Sequence, residues 1–265
     1  SSATNLDPAD TDGRTDIYVK DLSTGDIMLA STSDAGVKGN FHSGLYAPDL
    51  SADGSRVAFD SLANNLDPAD SEHFYNWFDI YVKDLSTGDI MLASTSDAGV
   101  LADSNNYEPT ISGNGTRVGF YSAATNLDPA DTDTTFDVYV KDLSTGDIIL
   151  ASASDAGVKG NSTSGLYGPD LSPNGARIAF ASVSTNLVPR DTDSMADVYV
   201  KTLGTGNIYL VSTSYSGVKG NQPSGDSSLS ANGAIVSFAS AARNMGPPDT
   251  DTAHDVYVKE VCIPT

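Results

Sequence analysis

Five loops of this 265-residue chain carry closely spaced carboxylates, and four of them follow the pattern D-x-D-x-x-x-D. The first loop lies in "NLDPADTDGRTD", which begins at Asn5, and the others follow Asn65, Asn126, Asn186 and Asn244. Carboxylates at positions i and i+2 of an irregular loop can converge on one point, and a third at the start of the next strand can close the site. Such oxygen ligands suit Ca²⁺, which tolerates loose geometry, better than Mg²⁺, which requires a tight octahedron.

Electrostatic repulsion within each loop favours a bound cation. Two carboxylates ~5 Å apart repel by roughly 3 kcal/mol at an effective dielectric constant near 20. We therefore expect one Ca²⁺ in each acidic loop. The aligned ligand candidates are Asp10, Asp12, Asp16, Asp70, Glu72, Asp79, Asp131, Asp133, Asp137, Asp191, Asp193, Asp197, Asp249, Asp251 and Asp255.

The alternative is that the loops form Asx turns and strand-entry caps on a solvated surface. The loops lack the sixth-position glycine and the terminal glutamate of an EF-hand. In this alternative the partial counterions are the lysines that follow the acidic loops, and the repeated Lys-Gly-Asn of the connectors is only a turn. Those lysines are Lys20, Lys83, Lys141, Lys201 and Lys259.

Composition narrows the classes of partner. The formal net charge is −21, from 35 acidic and 14 basic residues, which excludes ordinary binding to nucleic acid and favours cations or basic partners. No apolar run approaches the ~18 residues of a membrane span, so we expect no membrane insertion. The single cysteine, Cys262, permits neither an intramolecular disulfide nor a cysteine-built zinc site.

The chain is an internal repeat of four short strands. Residues 16–37 and 79–100 are identical, and the repeat units span approximately 1–45, 46–106, 107–166, 167–225 and 226–265 of one domain. In the second unit, "YAPDLS", "RVAFDS", "DIYVKDL" and "IMLAST" are the predicted strands, and glycine-containing pairs supply the hairpin turns between them.

The predicted strands are apolar on both faces. In "DIYVKDL" of the first unit, Ile17 and Val19 point to one side and Tyr18 to the other, so the sheets must be covered on both sides. Small four-stranded antiparallel sheets that repeat every 40–60 residues are typical of the blades of a β-propeller. We predict an all-β fold of this kind rather than a parallel β-helix, whose coils are shorter and lack hairpins.

The run from "APDLSADGSRVAFDS" to "DIYVKDLSTGDIMLAS" resembles the WD-type propeller repeat of the TolB-like family over essentially the whole chain. The "NLxPxDTD" insert resembles a subfamily common in bacterial, often exported, proteins. The resemblance implies the fold more than a function, because propellers host many unrelated activities. TolB-like lyases use histidine-rich metal centres, which the three dispersed histidines here do not match.

The number of blades has two interpretations. The third strand occurs five times and the first-and-second strand pair four times, which favours five blades with the first incomplete. The alternative is a four-bladed ring in which residues 27–31 complete the last blade. That arrangement would leave one third strand unpaired.

The second acidic loop breaks the repeat and is the candidate partner-binding site. It is longer than the others and is rich in aromatic residues, which suit a sugar-stacking platform or a protein hot spot, although the same side chains could cover a blade edge. The candidates are His73, Phe74, Tyr75, Trp77 and Phe78.

The resulting hypothesis is a non-catalytic, calcium-stabilised scaffold that binds a protein, a surface assembly or a polysaccharide. The alternatives are a polysaccharide lyase or hydrolase with its site at the channel mouth, and a structural module of an envelope or filament with lateral self-association. The acidic, cysteine-poor chain suits a calcium-rich location outside the bacterial cytoplasm, so we expect it to be secreted, periplasmic or on the cell surface. The absence of a signal sequence indicates either a mature exported form or a cytosolic protein.

Overall fold

The computed structural model describes residues 1–70, 77–246, 249, 251 and 253–261. Regular secondary structure in these residues is entirely β, in five antiparallel sheets. The predicted all-β architecture of repeated four-stranded sheets is therefore confirmed. No helix long and apolar enough to span a bilayer occurs in this part of the chain.

The sheets follow one another along the chain, and each pairs its strands in sequence order. The first has two strands, the next three have four each, and the last has three. The strands are β1 (Tyr18–Lys20) and β2 (Ile27–Leu29); β3 (Asp49–Leu50), β4 (Arg56–Ser61), β5 (Asp79–Asp84) and β6 (Ile90–Leu92); β7 (Asn106–Ile111), β8 (Arg117–Ser122), β9 (Asp137–Asp142) and β10 (Ile148–Leu150); β11 (Ser164–Leu171), β12 (Arg177–Ser182), β13 (Asp197–Thr202) and β14 (Ile208–Leu210); β15 (Ser224–Leu229), β16 (Ile235–Ser240) and β17 (Asp255–Glu260).

Local sequence determines the hairpins. In the second sheet β4 and β5 pair over six residues, from Arg56 opposite Asp84 to Ser61 opposite Asp79. The turn between β5 and β6 places Gly88 at φ +82°, a conformation that costs little only for glycine. The Thr-Gly pairs were predicted to play this role, and Gly88 confirms it.

Adjacent sheets pack through one repeated apolar contact. Ile80 and Val82 of β5 share a buried core with Phe120 of β8 and Tyr139 of β9 in the next sheet. On the other face of β5, Tyr81 is buried in the core shared with the first sheet. Both faces of the third strand are therefore buried, as the sequence predicts.

Polar contacts also cross between neighbouring sheets. Arg117 of β8 donates from Nη1 to the carbonyl of Gly175 in the next unit at 2.7 Å, and its Nε donates to Asp142 of its own sheet at 3.1 Å. The Asp97 carboxylate accepts the backbone N–H of Ile148 at 2.6 Å. Because the first strands β3, β7, β11 and β15 contact their counterparts in successive sheets, they form the inner side of the array.

The first and last sheets differ from the others. Ile27–Leu29 pairs with β1, so the alternative in which residues 27–31 complete the last sheet is wrong. In the last sheet β17 pairs with β16, and its Val256 and Val258 are 76% and 70% exposed. Their counterparts in β13 are fully buried against the last sheet.

The packing between sheets should limit the stability of the fold. Replacement Phe180→Ala removes a fully buried ring from the core shared by the third and fourth sheets. We expect it to lower the free energy of unfolding by about 3–5 kcal/mol, measured by urea denaturation. The control Leu22→Ala removes a side chain that is 90% exposed, and its effect should stay within about 0.5 kcal/mol. Equal effects of the two replacements would contradict this packing.

Candidate functional site

The acidic loops are held at the entrance to each third strand by hydrogen bonds from within the same sheet. In the third sheet, the Tyr139 hydroxyl donates to Asp131 at 2.5 Å and the Ser152 hydroxyl donates to Asp137 at 2.6 Å. The Asp133 carboxylate accepts the backbone N–H of Thr135, which is an Asx turn. Two carboxylates of the loop are thereby fixed and buried, and one faces solvent.

Three of the five predicted loops bring their carboxylates together among the residues that the structure describes. Within each group, one carboxylate oxygen from each residue lies within 4.8 Å of the others, and these three triads could hold a metal ion. In every triad the first and third aspartates are buried and the middle one is exposed. The triads are Asp10, Asp12 and Asp16; Asp131, Asp133 and Asp137; and Asp191, Asp193 and Asp197.

A lysine ammonium from the connector of the same unit lies among the carboxylates of each triad. Lys159 Nζ is 2.8 Å from Asp137, 3.0 Å from Asp133 and 3.6 Å from Asp131. The Asp137 Oδ2 atom is buried, and the Lys159 ammonium 2.8 Å away balances its charge. Lys38 and Lys219 occupy the same position in the other two triads, 2.9 Å from Asp16 and 2.7 Å from Asp197.

Burial and charge pairing compete within the triad. Burial raises the pKa of Asp137 to about 6, although the hydrogen bonds from Lys159 and Ser152 act to lower it. Burial also opposes a charged ammonium, but the hydrogen bonds of Lys159 to Asp137 and Asp133 outweigh it and raise the pKa of Lys159. With all four groups ionised, one positive charge against three negative charges leaves each triad at −2.

The turn-and-cap alternative names the wrong lysines as counterions. Wherever the structure gives their contacts, these lysines bind backbone carbonyls of the preceding connector and not the carboxylates of the triads. Lys141 donates to the carbonyls of Thr95 and Ser96 in the preceding connector, at 2.9 and 3.0 Å. Lys83, Lys201 and Lys259 make the same contact with their own preceding connectors. These lysines therefore join neighbouring units, and the Lys-Gly-Asn connectors, interpreted only as turns, supply the counterions.

The second and fifth loops differ from the three triads. In the second loop, Tyr81 donates to Asp70 at 2.7 Å and Ser94 donates to Asp79 at 2.7 Å, while the predicted ligand Glu72 lies outside the described residues. Leu101 stands at the connector position that carries lysine in the three triads.

In the fifth loop, Asp249, Asp251 and Asp255 form no such triad in the described part of the chain. The first of them is partly buried, and the other two are exposed.

An aromatic cluster lies between the second and third sheets, at the rim that carries the acidic loops. Its rings contact one another at centroid distances of 5.0 to 5.9 Å, mostly edge to face. Each ring is partly exposed. The aromatic cluster consists of Tyr46, Phe78, Tyr107, Tyr121 and Phe136.

Among the described residues, the predicted partner-binding residue Phe78 lies in this cluster. Phe78 packs against Tyr46 and Tyr107, so it contributes to the sheet interface and remains partly exposed. Trp77 is partly buried next to it. The other predicted residues, His73, Phe74 and Tyr75, lie outside the described residues.

Two carboxylates adjoin the aromatic cluster. Asp60 is fully buried and accepts the backbone N–H groups of Leu45 and Tyr46 at 3.1 Å each, and burial raises its pKa to about 6. Burial likewise raises the pKa of Glu108, which has a left-handed backbone with φ +49°. A side chain at Gly168 would collide with the Glu108 carboxylate, so this glycine leaves room for it.

The histidines that the structure describes do not form a catalytic centre. His42 accepts the backbone N–H of Thr15 through Nδ1 at 3.0 Å, which is a structural role. His254 is exposed in the last unit. Neither is part of the aromatic cluster or of a carboxylate triad.

Comparison with known structures supports the propeller fold. A putative TolB from Agrobacterium tumefaciens superposes with a TM-score of 0.51 at 15% identity, over 94% of this chain and 72% of that protein. TolB from Acinetobacter baumannii gives a TM-score of 0.49 at 15% identity over 93% of this chain, and the chain spans 46% of its length. At this level of identity the likeness shows the fold alone, a TolB-like β-propeller.

More distant likenesses include the β-propeller domain of the Trilobed protease from Pyrococcus furiosus, with 12% identity and a TM-score of 0.46 over 82% of this chain and 55% of that one. No protein-family model matches the sequence, and no curated protein matches it.

Removal of the triad ammonium should destabilise the fold. Lys159→Met leaves the buried carboxylates of Asp131 and Asp137 without their cation, which should cost about 3–5 kcal/mol and lower the melting temperature by about 10 °C at pH 8. The deficit should shrink as the pH falls from 8 toward 6, because loss of the ammonium raises the pKa of Asp137 above its wild-type value of about 6 and the buried carboxyl is then protonated first in the variant.

The matched control is Lys20→Met, which removes an exposed lysine of the first sheet and should leave the melting temperature unchanged. Thermal denaturation across pH 5–8 compares the two variants. A Lys159→Met protein as stable as the wild type at pH 8 would show that the ammonium does not balance this triad.

Proposed function

We propose that this chain is a non-catalytic β-propeller scaffold that binds a partner at the rim carrying the aromatic cluster. The supporting observation is the break in repeat symmetry at that rim. The three acidic triads are near-identical and internally paired, as structural parts are, whereas partly exposed rings gather in only one place among the described residues. Exposed aromatic groups are the side chains that most often dominate a binding interface.

The partner classes remain those predicted from the sequence: a protein, a surface assembly or a polysaccharide. A secreted, periplasmic or cell-surface location in a bacterium fits a scaffold with this acidity and with the Asp-rich insert of the proposed subfamily. A role as a structural module of an envelope or filament is a variant of this proposal, supported by the identity of residues 16–37 and 79–100.

The enzyme alternative has one observation in its favour and one against it. Asp60 has a raised pKa near that of a general acid, and the nearby Glu108 charge contributes to it. However, Asp60 is fully buried and both of its oxygens accept backbone N–H groups, so a substrate cannot reach it. A non-catalytic role is therefore the better proposal.

The scaffold proposal is tested by quantitative affinity capture from the exported fractions of the source organism. Tyr46→Ala removes an exposed ring of the aromatic cluster, and we expect it to weaken capture of the specific partner by about tenfold or more. The matched control Tyr215→Ala removes a fully exposed tyrosine from a distant connector and should leave capture unchanged.

A parallel assay follows chain shortening of acidic and neutral polysaccharides. Release of oligosaccharides by the purified protein, or equal capture by wild type and Tyr46→Ala, would contradict the scaffold proposal. Sedimentation of the purified chain as a concentration-dependent oligomer would identify a second copy as the partner.

Calcium stabilisation is a second proposed property, supported by the residual charge of the triads. The three aspartates and the lysine of a triad together carry a charge of −2. If the lysine side chain moves away, the aspartates offer a divalent cation several oxygen ligands. Bound Ca²⁺ should then raise the free energy of unfolding with the logarithm of the ligand concentration, by about 2.7 kcal/mol per site at a hundredfold excess over Kd, and the melting temperature should rise accordingly.

The measurement is thermal unfolding in EDTA and in CaCl₂, with NaCl at matched ionic strength as the control. Isothermal titration then counts the ions bound per chain, and we expect up to three from the triads of the described residues. An unchanged melting temperature together with no heat of binding would leave the lysines as the counterions and contradict a calcium role.

A further inference from the structure

The carboxylates next to the aromatic cluster have no counter-cation of their own. Among the described residues, no lysine, arginine or histidine nitrogen forms an ion pair with Asp60 or Glu108. This contrasts with the triads, where the chain places a lysine within 2.7–2.9 Å of a buried aspartate. The Glu108 carboxylate, together with the charge of the nearby buried Asp60, therefore attracts a cation from outside the chain.

The rings are arranged to receive a small cation rather than a flat sugar. Tyr46 meets Phe78 at an interplanar angle of 82°, and Tyr121 meets Phe136 at 85°. Rings at such angles do not form the single flat surface on which a sugar stacks. A cation binds over an aromatic face within about 6 Å of the ring centroid, and these centroids are spaced closely enough for one cation to be near two rings.

Comparison of the repeat units shows that the carboxylate of the third unit lies beside a ring that its counterpart in the fifth unit lacks. Glu108 is one of three glutamates in the chain, and its counterpart in the fifth unit is Asp226, which has the same left-handed backbone, with φ +47°. The residue after Ser224 in that unit is Gly225, where the third unit has Tyr107. Asp226 thus reproduces the charge and the backbone without the ring beside it.

We propose that the aromatic cluster and Glu108 bind the cationic side chain, arginine or lysine, of a basic polypeptide partner. The proposal rests on the proposed scaffold function and names the chemistry of its partner. The net charge of −21 and the acidic loops of the same rim attract a basic polypeptide over longer distances. The guanidinium or ammonium group lies against the ring faces, with the Glu108 carboxylate as its acceptor.

The test uses short peptides of defined composition and the full chain. The probe is an acetylated and amidated Gly-Gly-Arg-Gly-Gly peptide, and the comparison peptide carries citrulline, which has the same shape without the charge. We expect the arginine peptide to bind with a millimolar Kd by calorimetry or ligand-observed NMR, and the citrulline peptide to bind at least about tenfold more weakly.

Two variants connect the binding to this site. Glu108→Gln keeps the size of the side chain and should weaken binding of the arginine peptide about tenfold, whereas the matched control Asp226→Asn should leave it unchanged. Tyr107→Leu keeps an apolar side chain without a ring and should weaken binding severalfold. Melting curves establish that each variant is folded, and a misfolded Tyr107→Leu leaves the comparison of Glu108→Gln with Asp226→Asn decisive.

The outcomes separate this proposal from the scaffold proposal. Equal binding of the two peptides, unchanged binding by Glu108→Gln, or no saturable binding at millimolar concentration would overturn the cation site. Partner capture that depends on Tyr46 but not on Glu108 would keep the scaffold and overturn the cationic chemistry. Saturable binding of a neutral disaccharide at the same rings, without binding of the arginine peptide, would indicate a polysaccharide partner instead.

Discussion

Buried carboxylates at the entrance to the third strands are the constraint on which the structure depends. Two aspartates of each triad have fully buried side chains, and an uncompensated buried charge costs several kcal/mol, a large part of the stability of an ordinary domain. The connector lysine offsets that cost because its ammonium lies between the two buried aspartates. The acidic loop precedes the third strand, and the lysine lies in the connector after the fourth strand. Their ion pair therefore also holds the connector against the acidic loop.

The rim combines two kinds of charged group with different consequences. In the outer triads, a lysine of the same unit balances part of the negative charge inside the fold, so these loops serve the framework. At the inner aromatic cluster, Asp60 and Glu108 carry charge beside partly exposed rings without a balancing cation in the described residues. Within the described part of the chain, the fold therefore leaves the partly exposed Glu108 without a balancing cation at a place where a partner can reach it, whereas Asp60 stays buried.

The strands and the acidic loops could be predicted from sequence because their signals are local. A short apolar run after a glycine turn defines "RVAFDS" as a strand, and β4 spans the same residues, Arg56–Ser61. The counterions could not be assigned by proximity in sequence, because Lys159 lies 26 residues from Asp133 whereas Lys141 is only four residues beyond Asp137. One signal was available: the first, third and fourth units, whose loops keep the pattern, carry lysine in the connector, and the second unit, whose loop is altered, carries Leu101.

The aromatic cluster was only partly predictable for a related reason. Phe78 belongs to a loop whose composition departs from the repeat, so sequence comparison between units identifies it. Tyr46, Tyr107 and Tyr121 lie in three different segments, and only the packing of the second sheet against the third brings them together. The rarity of glutamate in an aspartate-rich chain was the one signal that pointed to Glu108.

The pairing of each lysine with the loop of its own unit has a consequence for how such a chain can lengthen. A duplicated segment of about one unit carries both the acids and the base that balances them, so a new copy introduces no unmatched buried charge. The bonds between units, such as Arg117 to the Gly175 carbonyl, use a backbone acceptor that any unit with the same turn provides. Gene duplication can therefore add units at little electrostatic cost, which agrees with the same pairing of acids and lysine in the first, third and fourth units.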